Sequence, residues 1–315
     1  MKALGAILRA VGCVLAGAAF VGCGSTPDPG PPLDSEYALL ARSAARAYAA
    51  GNRDYAERLY RRALDRAWLT DNPASVTNAA ANLALCLSAQ GASGEALKLI
   101  DESLIESERL GGPPPALRLI EAAVALKAGE PGRATAALDA LEAGAGEPTP
   151  EQREETKLLR VRILLESGAP PGPVWEKIEV PGPDSPLRSE YCALAARAAA
   201  AGGRWPEAAG FWDERAERQR LERDYAGMAA TLTRSGEAWL RAEDPGRASQ
   251  RYYRAARSFA AAGRGREALR AAAAALDAAE AAGSAEGRLR TAALAVKIAG
   301  GLSRTNDSNQ QGVQE

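Results

Sequence analysis

The sequence contains no histidine among its 315 residues. Histidine is the commonest general base and the commonest metal ligand in proteins. Its absence excludes histidine-based catalytic triads. The sequence also has no Cys-x-x-Cys pair and no glycine-rich phosphate loop, and two of its Gly-Gly pairs, at 111–112 and 202–203, fall between predicted helices. We therefore predict no catalytic residue, no cofactor, no metal site and no small-molecule substrate, and a protein that is not an enzyme.

Aromatic residues and charge of one sign are also scarce. Aromatic residues make up 5% of the chain, and the formal net charge is −1. Nucleic-acid binding requires a basic face that can neutralise phosphates, so we predict no nucleic-acid partner. Alanine, arginine, leucine and glutamate dominate instead, and all four are good helix formers. The composition predicts an all-α protein.

Cysteine is used four times, and two of these residues lie near the N-terminus. Cys86 and Cys192 lie on predicted helices far apart in the sequence, too distant in a helical array to form a disulfide. Free cysteine is among the most frequently buried residue types. We predict that both are small buried hydrophobes.

The first 22 residues have the pattern of a cleaved secretory signal. Lys2 and Arg9 supply a basic start, and an apolar run over 10–21 follows. Such a run is too short to cross a bilayer comfortably, and a small residue, Gly22, precedes the expected cut.

Gly22-Cys23 resembles the lipobox of bacterial lipoproteins. In that family the cysteine is diacylated, the signal is cut before it, and the new amine is acylated. The resemblance implies a signal peptide over 1–22, lipid attachment at Cys23 and membrane contact through the lipid. Phe20 and Val21 stand where leucine and alanine or serine are usual, and an ordinary cleaved signal is the alternative. The Pro/Gly-rich stretch 23–34 would be an extended tether, and Gly24 favours the periplasmic side of the outer membrane.

A repeated phrase organises the rest of the chain. Gly51 is followed by Ala56, Tyr60 and Ala63, and the last three share one helical face. Variants of the phrase place alanine at Ala56, Ala96, Ala134, Ala208 and Ala248. These alanines recur every ~37 to 40 residues, counting two repeats before Ala208, a period typical of two-helix solenoids.

This pattern is similar to the tetratricopeptide repeat (TPR). A small residue seven positions before the glycine also fits, as at Ala44, Ala84 and Ala122. The resemblance covers about residues 35–300 and implies a right-handed α-α superhelix of TPR-like helix pairs. The repeats run longer than the family's norm, and the copy that begins at 151 breaks at Ala169–Pro173, where prolines cannot continue a helix. An irregular α-α solenoid of another kind is the alternative.

The pattern predicts five helix pairs, a broken repeat and further helices at the C-terminal end. The pairs cover 36–50 and 54–69, 76–90 and 94–110, 116–128 and 131–141, 189–201 and 206–221, and 225–242 and 245–262. The broken repeat has a helix over 151–167 and a short piece over 174–178. The second helix of the 225–262 pair doubles as the first helix of the next pair, and a last helix covers 285–302. We expect N-terminal repeats over 35–178, a linker over 179–186, C-terminal repeats with a capping helix over 187–302, and a disordered tail over 303–315.

In the TPR family the first helix of each pair builds an inner, concave wall. By repeat register, the candidate partner-binding residues on this wall are Asn78, Arg162, Arg197 and Glu237. Neighbouring wall positions are Ala41, Ala45, Ala81, Leu119, Ala123, Leu158, Ala193 and Thr233. Such a groove suits a protein or peptide partner, as an amphipathic helix or an extended segment. We expect the packing positions Trp212 and Tyr252 to be core residues, and the charged stretch 213–224 to be solvated.

These features together predict a lipid-anchored scaffold or adaptor of the cell envelope, acting in the assembly of an envelope complex. An accessory regulator that activates an envelope or cell-wall enzyme is the alternative, since it would need only a binding face. A soluble periplasmic scaffold without the lipid is a third possibility.

Overall fold

The structure is a computed structural model that describes residues 34–144 and 146–311, with side chains at all of these positions except 173 and 302–311. Over these residues the chain is helical and has no strand. The first eight helices are α1 (Ser35–Ala49), α2 (Arg53–Leu69), α3 (Pro73–Gln90), α4 (Ser93–Glu108), α5 (Pro115–Ala128), α6 (Pro131–Ala143), α7 (Pro150–Glu166) and α8 (Gly172–Glu176). The remaining helices are α9 (Arg188–Ala201), α10 (Trp205–Leu221), α11 (Tyr225–Arg241), α12 (Pro245–Ala261), α13 (Gly265–Ala281) and α14 (Ala285–Gln311). No helix in the described part of the chain is both long enough and apolar enough to span a membrane.

Most successive helices are joined by a turn of two or three residues that contains one residue in the left-handed conformation. Gly91 and Gly129 take this position with φ of 97° and 82°, a conformation that costs glycine little. Asp71, Arg223 and Glu243 take the equivalent position without being glycine. Asparagine or aspartate then caps several of the following helices through its side chain. These turns confirm the predicted helix pairs.

The predicted packing face is buried in every well-formed repeat. Ala56 and Ala63 are fully buried, and Tyr60 is 5% exposed. Their counterparts are buried too: Ala96, Ile100, Ala134, Leu138, Ala208, Trp212, Ala248 and Tyr252. The small residues of the preceding helices, Ala44, Ala84, Ala122 and Ala196, are also fully buried. The repeat phrase is therefore a packing unit, as its spacing predicted.

The chain divides into two compact units, Met1–Glu190 and Tyr191–Glu315. The division falls inside α9, near its first turn, whereas the sequence placed a linker over 179–186. Proline-rich composition marked that segment, but the first turn of α9 belongs with the helices before it.

Unit 1, which ends at Glu190, stacks α1 to α7 around an apolar core. Arginine–carboxylate pairs join successive second helices along its surface. Arg61 on α2 lies 2.8 Å from Glu95 on α4, and Arg133 on α6 contacts Asp101 on α4. Exposed pairs of this kind contribute little individually. Arginine and carboxylate side chains thus pair along the exposed surface of these second helices.

Unit 2, from Tyr191, is an unbroken series in which α12 packs on both α11 and α13. The predicted doubling of α12 as the first helix of the next pair is therefore confirmed. A carboxylate joins three of its helices. Asp213 on α10 accepts hydrogen bonds from the Ser235 hydroxyl at 2.6 Å, from the Trp239 indole at 3.2 Å, and from Nε and Nη2 of Arg251, each at 2.8 Å.

Two other predictions need correction. The stretch 213–224 is not wholly solvated, because Asp213 lies in the network above and Arg215 and Gln219 are 5% and 6% exposed. The sequence predicted a disordered tail from residue 303, but the last helix continues to Gln311, since no glycine or proline lies between Gly301 and Gly312. The predicted break after α7 is confirmed, because only the short helix α8 lies between α7 and α9. Cys86 and Cys192 are free and buried, as predicted. Cys23 and residues 1–33 lie outside the described residues.

Candidate partner-binding surface

Asn78 is the first candidate residue of the inner wall, and it lies half-buried on α3. One turn later, the Asn82 amide donates to the Asn78 backbone carbonyl at 2.8 Å and also contacts its side-chain oxygen. These two amides place polar hydrogen-bonding groups side by side on α3. Paired amides of this kind can bind the backbone of an extended peptide.

Much of the rest of the predicted wall is core instead. Five of its positions are no more than 4% exposed: Ala81, Leu119, Ala123, Leu158 and Ala193. The central first helices are surrounded, because α3 packs on α2, α4 and α5, and α5 packs on α4, α6 and α7. The predicted register is therefore wrong at these five positions. Ala41, Ala45 and Thr233 are half-buried.

Arg162, on α7, has two carboxylates within its own unit. Its Nε donates to Glu166 at 3.1 Å, and its Nη1 lies 3.5 Å from Glu190, whose side chain is 2% exposed. The Arg162 side chain itself is 12% exposed. A residue so enclosed and paired serves first to neutralise Glu190, and its role in partner binding stays a prediction.

The two candidate residues of unit 2 differ in exposure. Arg197 is half-buried on α9, and Glu237 is exposed on α11. Burial, and secondarily the charge of Glu237, raise the pKa of Tyr252 to about 12. Glu237 therefore lies near the buried ring that α12 inserts beneath α11.

Two cations that the repeat pattern did not predict, Arg53 and Lys127, lie at the C-terminal end of α3. Arg53 donates to the Ala89 carbonyl at 3.3 Å, and Lys127 contacts the Ser88 carbonyl. Burial lowers the pKa of Lys127, and the charges of Arg53 and Arg162 lower it further. Helix C-terminal carbonyls carry partial negative charge, which explains the site. The feature of the sequence that could have indicated this contact is Lys127, a basic residue in the last turn of α5.

Glu155 on α7 is a buried carboxyl, at 2% exposed. Its Oε1 has no hydrogen-bond partner among the described residues. Burial, and then the charge of Glu151, raise the pKa of Glu155 to about 8. The signal for this position was its place on the same face of α7 as Leu159 and Ile163. No group of three or more metal-ligating side chains occurs in the described residues.

No protein-family model matches the sequence, and comparison with curated proteins gives no match. Solved structures do match. One is a tetratricopeptide repeat protein from Parabacteroides merdae, with 15% identity, a TM-score of 0.44, and coverage of 84% of this chain and 98% of that chain. Another is the TPR2AB-domain:pHSP90-complex of yeast Sti1, with 15% identity, a TM-score of 0.34, and coverage of 84% and 99%. Both are TPR proteins, the family that the repeat pattern resembles.

Proposed function

We propose that this protein is a lipid-anchored scaffold or adaptor of the cell envelope that binds a protein or peptide partner on its helical surface. The observation that carries the proposal is a body of stacked helix pairs whose regular packing leaves polar groups and large apolar side chains on its surface. Trp68, Leu69 and Ile105 in unit 1 are 44% to 76% exposed. Such surfaces support binding rather than chemistry.

The membrane part of the proposal rests on the sequence around Cys23. Two or more acyl chains hold a protein stably at a bilayer, whereas one holds it weakly. The tether over 23–34 would separate the lipid from α1. We place the protein on the periplasmic side of the outer membrane because position 24 is glycine.

Metabolic labelling with a lipid precursor tests the anchor. Wild type should incorporate the label, and Cys23→Ser should lose it. Cys13 also follows a glycine, so Cys13→Ser is a matched control that should keep the label. Equal labelling of wild type and Cys23→Ser would remove the anchor from the proposal.

Site-specific photo-crosslinking in the native cell tests the binding surface. A crosslinker at Asn78 or Glu237 should trap a discrete partner. A crosslinker at Glu102, an exposed residue on the second helix α4, should not. Capture from Glu102 alone would refute the wall as the binding surface. An enzyme among the captured partners whose rate rises on adding this protein would favour the regulator.

A further inference from the structure

Helix α14 has apolar side chains on two opposite faces. On its inner face, Thr291 and Ile298 are buried against unit 2, at 1% and 7% exposed. On its outer face, Leu289 and Val296 lie two turns apart and are 75% and 74% exposed. A surface helix normally has a polar outer face, and a helix that is apolar all round is normally buried. The outer face of α14 therefore has the composition of a contact surface.

Small side chains surround Leu289 and Val296 on this face. Those at neighbouring helical spacing are exposed alanines and a glycine: Ala285, Ala292, Ala293 and Gly300. Two larger residues set among small ones form a ridge with shallow grooves beside it, which is how one helix accepts another. Among the described helices, α14 packs on α13 and α12, and both lie on its inner side.

The charge of this region determines which class of partner can bind the outer face of α14. From Pro245 to Gly301 the chain has ten Arg or Lys residues and four Asp or Glu residues. Arg288, Arg290 and Lys297 flank the apolar stripe, with Glu286 as the acidic exception. A second copy of this chain would bring the same positive charges to the contact, and like charges across an interface oppose binding. An acidic partner complements the face.

A cleft beside the stripe provides a place for the partner's carboxylates. It has a volume of about 550 Å³ and lies between the end of α12, the start of α13 and α14. Arg257 and Lys297 line it above the apolar side chains of Leu294 and Ile298, and no acidic residue lines it. Neither cation has an ion pair with a described carboxylate. A carboxylate held there would form charge-assisted hydrogen bonds.

We propose, building on the adaptor function above, that the outer face of α14 and this cleft dock an acidic amphipathic helix of a protein partner. The apolar stripe of that helix covers Leu289 and Val296. Its flanking carboxylates meet Arg257 and Lys297. This is a helix-on-helix mode of recognition, and it uses unit 2 alone.

Two synthetic helical peptides test the proposal against the full chain by fluorescence anisotropy. Both have the same leucine stripe, and their flanks are glutamate in one and lysine in the other. The glutamate peptide should bind, and the lysine peptide should bind about tenfold or more weakly, since the contact is steered by charge. Leu289→Asn/Val296→Asn should weaken binding of the glutamate peptide by about tenfold or more. Arg257→Gln/Lys297→Gln should weaken it and reduce its salt dependence.

Matched controls separate this face from general stickiness. Leu221 is 68% exposed at the end of α10, and Arg270 is exposed on α13. Leu221→Asn and Arg270→Gln should leave binding unchanged. Because all the altered side chains are exposed, circular dichroism of each variant should match wild type.

Several results would overturn the docking site. These are no binding of the glutamate peptide, equal binding of the lysine peptide, or unaltered binding by Leu289→Asn/Val296→Asn. Sedimentation that shows a dimer of wild type, lost in the same double variant, would assign the face to a second copy instead. Partner capture at Asn78 or Glu237 alongside a failed peptide experiment would leave the adaptor function standing and remove only this surface.

Discussion

Replacing Gly236 by alanine tests the packing rule of the repeat directly. Gly236 lies inside α11, at the position where other repeats have a buried alanine, and it faces the Tyr252 ring of α12. A Cβ built at Gly236 would lie 2.8 Å from Cε1 and 2.9 Å from Cζ of that ring. The ring is 4% exposed and is packed in the core of unit 2, so it has little room to move aside.

Two opposing effects set the sign of the change. Glycine to alanine inside a helix usually stabilises by about 1 kcal/mol. Forcing an extra methyl group into a packed core costs ~1–3 kcal/mol. Since the contact is far closer than van der Waals distance, we expect the second effect to win. The free energy of unfolding should fall by about 1 kcal/mol, against the propensity.

Chemical unfolding of the full chain, followed by tryptophan fluorescence and circular dichroism, measures this change. Gly210 is the matched control, because it is exposed inside α10 and an added Cβ there meets nothing within 4 Å. Gly210→Ala should stabilise by about 0.5–1 kcal/mol. In a Tyr252→Leu background, Gly236→Ala should no longer destabilise. The reasoning is refuted if Gly236→Ala stabilises wild type as much as Gly210→Ala does.

Three further predictions concern buried polar groups. Folding raises the pKa of Glu155 from 4.5 to about 8, so between these values the folded state keeps a proton that the unfolded state releases. The free energy of unfolding should therefore fall by roughly 3 kcal/mol between pH 5 and pH 8. Glu155→Gln should remove this pH dependence, as measured by urea titrations. Asp213→Ala should destabilise by about 3 kcal/mol, because it leaves Arg251 and its other donors without an acceptor, measured by the same titration. In a Cys13→Ser/Cys23→Ser background, Cys86 and Cys192 should resist a neutral thiol reagent until the chain is unfolded, since both are fully buried and burial raises the pKa of Cys86 to about 11.

Each of these has its own control. Glu102→Gln, at an exposed position, should leave the pH dependence as it is in wild type. Asp277→Ala, an exposed aspartate on α13, should change stability by less than about 0.5 kcal/mol. Stoichiometric labelling of Cys86 or Cys192 in native buffer would contradict the burial of these thiols.

The helices and their packing faces could be predicted because local rules and core packing agree along most of the chain. Glycine or an Asx cap marks many turns, and alanine and a large residue at fixed spacing mark the buried face. Gly236 and Tyr252 show this agreement, since the smallest and one of the largest side chains occupy facing positions. The break after α7 was equally local, because proline cannot continue a helix.

The binding wall was harder to predict, because exposure depends on how many neighbours a helix has. Leu119 and Leu158 occupy wall positions by register, yet each is buried. Repeat register gives the direction of a side chain on its helix but not what packs there. The burial of Glu155 could not be predicted for the same reason: it is a charged residue on a helix rich in charge, and yet it lies in the core.

The three left-handed residues that are not glycine bear on how such a chain changes over generations. Asp71, Arg223 and Glu243 each hold a backbone shape that costs a side-chain-bearing residue about 1–2 kcal/mol. Their turns persist because the helices on either side hold them in place. A turn that requires no particular residue can be duplicated or deleted together with the helices that it joins. Gene duplication or deletion at these turns could thus lengthen or shorten the chain by a helix pair, without a new turn sequence having to arise.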